Sequence, residues 1–166
     1  MNIADAWLET LKRQTALLLR GVTGTLEAVP EELWMQTVTG FPVGQNAYHL
    51  VFSLDEFWFD PPRFIPPAGH VPGTDKLGSE PSALPSKTAV LAYWSNVRSR
   101  IEADLAALTP ETAVAPVPGS RWNRLDLMIA QHRHAHFHVG WLQAALKDRG
   151  IPLPPWIGID RDWEKK

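Results

Sequence analysis

The chain has 166 residues, no cysteine, 16 Lys and Arg against 18 Asp and Glu, and a formal net charge of −2. Without cysteine there is no disulfide, no thiolate metal ligand and no cysteine nucleophile, and the charge balance argues against nucleic-acid binding, which needs a concentrated positive surface. With 45% hydrophobic and 20% charged residues, the composition is that of a soluble globular protein, expected to form one domain over residues 1–166.

The first twenty residues mix Asp5 and Glu9 with Lys12 and Arg13 and carry no cleavage-site pattern. No apolar run approaches the roughly 20 residues that a membrane helix needs. A cytoplasmic protein without membrane contact is expected. Two counts are unusual, 15 Pro and 8 Trp: the prolines must gather in loops, and the tryptophans need polar partners or a ligand.

From Ala4 to about Ala28, Trp7, Leu8, Leu11, Leu18, Val22, Leu26 and Val29 recur at steps of three and four, predicting a one-faced helix. Pro30-Glu31-Glu32 starts a turn, and Thr39-Gly40-Phe41-Pro42 breaks the chain again. A second helix is expected from about Gly44 to Phe59, apolar on most sides and therefore central. It stops at Asp60-Pro61-Pro62. Residues 60–86 hold seven of the fifteen prolines and show no period, which marks either a functional loop over the site or a rigid surface connection. The third helix spans about Ser86 to Leu108, with Ser86 as N-cap and Thr109-Pro110 as its end. The fourth runs from about Arg124 to Arg149, capped by Asn123 and closed by Gly150. No alternating strand pattern and no repeat is present. Four long helices with proline-rich connections predict an all-α four-helix bundle.

Four of the six histidines, His132, His134, His136 and His138, fall within seven residues of the fourth helix. They resolve into two i,i+4 pairs on nearly opposite faces. Helical steps from His134 and His138 reach Leu127, Ala130, Trp141, Leu142 and Ala145, so that pair is expected inside. The 132/136 pair is expected at the rim or in a subunit contact. Imidazoles one turn apart can both reach one ion at about 2.0–2.1 Å. His49, inside the apolar second helix, is the candidate third ligand, with Gln45, Ser53 and Glu56 on its face. The same spacing also suits a core histidine and a solvated histidine face. Asp55 and Glu56 beside Arg133 read as a solvated charge pair.

Three stretches carry a resemblance: Leu26-Glu27-Ala28-Val29-Pro30-Glu31-Glu32-Leu33-Trp34; Val43-Gly44-Gln45-Asn46-Ala47-Tyr48-His49-Leu50 with Asp55-Glu56-Phe57-Trp58; and Arg121-Trp122-Asn123-Arg124-Leu125-Asp126-Leu127 with His134 through Gly140. Together with the tail Gly150-Ile151-Pro152-Leu153-Pro154, the sequence resembles the DinB/YfiT-like superfamily of metal-dependent four-helix bundles, distinct from the similarly named DNA polymerase. The resemblance implies a divalent metal (zinc, nickel or iron) on His49, His134 and His138, and a homodimer. It also implies a basic residue where this chain has Val139.

Three neutral imidazoles leave a divalent ion its full charge and open positions, the layout of a catalytic site. Such an ion acidifies a thiol or a water. The characterised members that this sequence resembles imply the first: thiol-dependent S-transferases or isomerases that use a low-molecular-weight thiol (glutathione, mycothiol or bacillithiol) on a small-molecule substrate. A hydrolase using water is the alternative, and a non-catalytic metal-binding stress-response module is a third, since fold does not establish function. Glu56, two turns from His49, and Gln131, one turn before His134, are candidates for orienting a bound molecule or moving a proton. Trp58, Trp94 and Trp141 are candidates for a pocket wall or for the core.

Overall fold

Helix α1 (Ile3–Ala28) starts where the Asn2 side chain accepts a hydrogen bond from the Asp5 amide at 2.8 Å. It ends before Pro30, whose ring keeps residue 29 extended. In this computed structural model, which describes residues 2–38, 40–59 and 61–155, the predicted stripe is the buried one: Leu8, Leu18, Val22 and Leu26 are at most 5% exposed. Thr39 and Asp60, which belong to two of the predicted breaks, lie outside the described residues.

After a 3₁₀ turn at Glu31–Leu33 comes a short antiparallel hairpin, β1 (Thr37–Val38) and β2 (Phe41–Pro42), with Val38 opposite Phe41. Gly40 takes a φ of +99° there, a conformation that suits glycine. Strands of two residues are too short to show alternation, so the sequence reveals only a break.

Helix α2 (Val43–Trp58) has no side-chain cap. Its first amides are satisfied by backbone instead: Val43 donates to the Gln36 carbonyl at 3.0 Å and Gly44 to the Trp34 carbonyl at 2.8 Å. This close approach lays the Trp34 indole on Gly44. A Cβ at position 44 would stand 2.5 Å from Trp34 Nε1, and the indole is tied to the Pro85 carbonyl at 2.9 Å. Gly44→Ala is therefore expected to destabilise by about 1–3 kcal/mol through overpacking. Thermal denaturation checks this; an unchanged Tm would mean that the indole gives way freely.

Thirteen of the sixteen residues of α2 are buried, so its polar members must find partners. Asp55, 6% exposed, accepts from Tyr93 Oη at 2.8 Å and from Arg100 at 2.5 Å. The expected pairing with Arg133 is thus replaced by partners on α3 (Lys87–Ala107). A carboxylate on the inward face of α2 cannot reach a solvent-facing side chain of the last helix.

Ser86 caps α3 by accepting from the Ala89 amide at 3.2 Å. A single turn, α4 (Pro110–Ala113), follows where the sequence shows only a helix end; Thr109 and Thr112 cap it reciprocally. Asn123 and Asp126 form the same box at the start of α5 (Arg124–Asp148). Gly150, at φ +67°, closes α5 while the Ile151 amide returns to the Leu146 carbonyl at 3.0 Å.

The helices pack α2 on α5 and α3, and α1 on α5 and α3. Trp58 and Trp94 belong to this core and not to a pocket. They are 0% and 3% exposed, and their indole N–H groups donate to Asp104 at 3.2 Å and Thr23 at 2.9 Å. Residues 61–86 run over α2 with one 3₁₀ turn, Pro61–Arg63. Among the described residues no helix is long and apolar enough to cross a membrane.

Candidate metal centre

His49 on α2 faces His134 and His138 on α5. The one-turn spacing within α5 brings its two rings to 4.4 Å between centroids, and His49 lies 5.1 Å from the first and 4.6 Å from the second. All three present Nε2 to a common point: His134 Nε2 is 3.1 Å from His49 Nε2 and 3.0 Å from His138 Nε2. Nitrogens bound to one ion at 2.0–2.1 Å with tetrahedral angles stand about 3.4 Å apart. The two spacings from His134 are close to that, and the three ligand atoms all lie within 4.8 Å of one another.

The backs of the rings explain why they converge. His49 Nδ1 donates to the Asp75 carbonyl at 2.6 Å and His138 Nδ1 to Asn46 Oδ1 at 2.8 Å. A ring nitrogen against a carbonyl oxygen must carry the proton, so in both rings Nε2 is left with a lone pair. Carbonyl partners behind ligating histidines are the usual outer support of a metal site. His134 Nδ1 is buried with no hydrogen-bond partner among the described residues.

Electrostatics point the same way. Burial, and then His134 and His49, push His138 down to about 3; burial and then His49 push His134 down to about 4. Burial lowers His49 too, against the opposing pull of the Asp75 carbonyl and charge. The rings are therefore neutral at pH 7, and a single Nε2–H on His134 can be given to only one of the two lone pairs that face it. A divalent cation satisfies that donor set. His49, His134 and His138 form the described cluster of histidine or acidic side chains that could hold one. His138 is 3% exposed, while His49 and His134 are only partly buried.

The remaining candidates separate. Glu56 is partly buried, and burial followed by the charge of Asp75 raises its pKa. Asp75 thus stands near both Glu56 and His49. Gln131 is 6% exposed and its Oε1 has no partner among the described residues. Trp141, unlike the other two tryptophans considered, lies beside the centre, 5.8 Å from His138 and in a ring cluster with Phe41 at 5.0 Å and Phe137 at 4.7 Å.

The second histidine pair is not simply at the rim. His136 is exposed, but His132 is largely covered: it donates from Nε2 to Thr15 Oγ1 at 2.9 Å and lies 6.2 Å from the Trp58 ring. Thr15 Oγ1 itself donates to the Leu11 carbonyl, so it accepts from His132. The reason is that α5 is covered twice, by α2 on the 134/138 side and by α1 on the 132 side. A groove of about 680 Å³ between α1 and α5 has His136, Val139 and Gly140 on its wall and none of the three converging histidines.

Asp75, Asn46 and His70 join the site in the structure beyond the residues that the sequence marks. Asn46 had a readable signal, a polar residue one turn before His49 on a buried helix. Asp75 and His70 had none, because the segment that carries them has no period.

Comparison with known proteins agrees with this architecture. Residues 5–142 match the sequence model of the DinB superfamily. A crystal structure of a DinB-like protein from Bacillus cereus ATCC 10987 shares the fold at a TM-score of 0.65 and 14% identity, over 89% of this chain and 96% of that one. No curated protein matches. The family match covers most of the helices just described, including both that carry the converging histidines, and so the chain belongs to the DinB superfamily.

Proposed function

We propose that this protein is a metal-dependent enzyme of thiol chemistry, an S-transferase or isomerase, built on a four-helix bundle of the DinB/YfiT-like type. The observation that carries the reading is the convergence of three histidine rings, two of them fixed from behind by carbonyl oxygens. A divalent ion, whether zinc, nickel or iron, supplies an electrophilic centre that acidifies a thiol or water brought to it.

The chain's own residues do the rest. Asp75 and Asn46 hold two rings in the tautomer that ligation requires. Glu56, with its pKa raised, is the group proposed to take the thiol proton, because a carboxylate closer to neutrality is the better base. Gln131, one turn before His134, is proposed to help orient the bound molecule; its Oε1 is buried without a partner among the described residues. As the chain has no cysteine, the sulfur comes from a cosubstrate. A carbon–sulfur bond forms as the leaving group departs from the electrophile, and the thiol proton goes to Glu56.

The test is a reaction between a dinitrobenzene halide and a low-molecular-weight thiol on metal-loaded protein. Thioether formation is expected only when metal and thiol are both present. Ester or amide cleavage without thiol would mark a hydrolase instead. Neither activity, with a Tm that falls on chelation, would mark a binding module.

A further inference from the structure

Gln45, Tyr48 and His49 stand at i, i+3 and i+4 on α2, hence on one face. All three grip the same stretch of the 60–86 segment. Gln45, fully buried, sends Nε2 to the carbonyls of Gly73 at 3.3 Å, Lys76 at 3.0 Å and Ser79 at 3.2 Å. Tyr48 Oη meets His70 Nδ1 at 2.8 Å, and His49 Nδ1 meets the Asp75 carbonyl at 2.6 Å.

Inside that stretch, His70 is the hinge of the arrangement. Its ring stacks on Tyr48 (centroids 5.9 Å apart, planes at 17°) and lies against Phe52 at 5.0 Å. His70 Nε2 stands 3.5 Å from Asp75 Oδ1, a longer polar contact; with the ring proton turned to that carboxylate, Nδ1 accepts from the Tyr48 hydroxyl. The path Tyr48, His70, Asp75, His49 therefore leaves α2 at one residue and returns at the next. A segment without regular structure has no ladder of its own to fix one carbonyl against one imidazole. Gln45 ties the carbonyls on either side of Asp75, and His70 adds a contact to the Asp75 side chain itself.

We propose that His70 is a positioning residue of the metal centre: held by Tyr48 and holding Asp75, it keeps the Asp75 carbonyl on His49 Nδ1 and so aims the His49 Nε2 lone pair. This rests on the three-histidine reading above and adds a residue of the connecting segment to it.

The experiment is a competition titration with Zn²⁺ alone on wild type, His70→Ala, Tyr48→Phe and the double variant, alongside the Tm of each metal-free protein. His70→Ala is expected to keep one ion per chain and to weaken zinc binding roughly 10–100-fold, the usual effect of losing an outer partner. Tyr48→Phe should weaken it by less. The double variant should be no weaker than His70→Ala, because both changes cut one path. A merely structural His70 would lower the metal-free Tm and leave zinc affinity at the wild-type value, and that result overturns the inference. Should His70→Ala fail to fold, His70→Asn keeps an acceptor for Tyr48 but cannot reach Asp75; the same weakening is expected, and unchanged affinity overturns the inference. A wild type that binds no stoichiometric zinc removes the metal centre itself, whereas equal affinity in wild type and variant removes the role of His70 alone.

Discussion

His49→Ala is expected to strip stoichiometric metal from the purified protein, while His132→Ala leaves the metal content at the wild-type value. The first change removes one of the three proposed ligands and leaves the Asp75 carbonyl without its donor. Its effect on affinity exceeds the roughly 10–100-fold cost of losing an outer partner, since the ion itself loses a bond. The fold should survive, because His49 is only partly buried and alanine suits a helix interior. His132 makes the contrast sharp. It sits two residues from His134, yet its ring faces α1 and bonds Thr15. Its loss should cost stability, on the order of 1–3 kcal/mol for a buried group left without its partner, and no metal. Elemental analysis of the two variants decides the matter: wild-type metal in His49→Ala, or lost metal in His132→Ala, contradicts the assignment.

The metal-free protein is expected to lose stability steeply as pH falls below about 6.5, the ordinary histidine value. His132 and His134 are held down to about 4 and His138 to about 3, chiefly by burial. Between those values and 6.5 the unfolded chain binds protons that the folded chain refuses, so stability falls with falling pH and is level above 6.5. One histidine shifted to about 4 costs on the order of 2 kcal/mol at pH 5. The three shifts share neighbours, so their sum is smaller than three independent effects. Ordinary carboxylates titrate mostly below pH 5, and Glu56, raised by burial, offsets part of the loss. Urea denaturation at pH 7.5, 6 and 5 checks the prediction. A midpoint that does not move between pH 7.5 and 5 would mean that these rings titrate as if in solvent.

Much of the fold is legible in local chemistry. Ser86, Asn123 and Gly150 mark helix ends because each satisfies or terminates backbone groups within three or four residues. The apolar residues at helical steps single out the face of His134 and His138, the two rings that lie against His49. What is hidden depends on contacts far apart in sequence. Nothing near Asp55 says that its partner is Arg100, 45 residues on, and nothing near His132 says that Thr15 covers it. The hairpin at Phe41 and the turn at Pro110–Ala113 are too short to have a period. The outer support of the candidate metal centre is hidden for a further reason. Asp75 serves through its backbone carbonyl, which every residue type possesses, so no side-chain pattern announces it.

Anomalous diffraction at the zinc edge, from crystals of the zinc-loaded protein, tests the central claim most directly. The account predicts one strong peak about 2.0–2.1 Å from the Nε2 atoms of His49, His134 and His138. A peak on the His132 and His136 side instead, or no peak among the three rings, would contradict it.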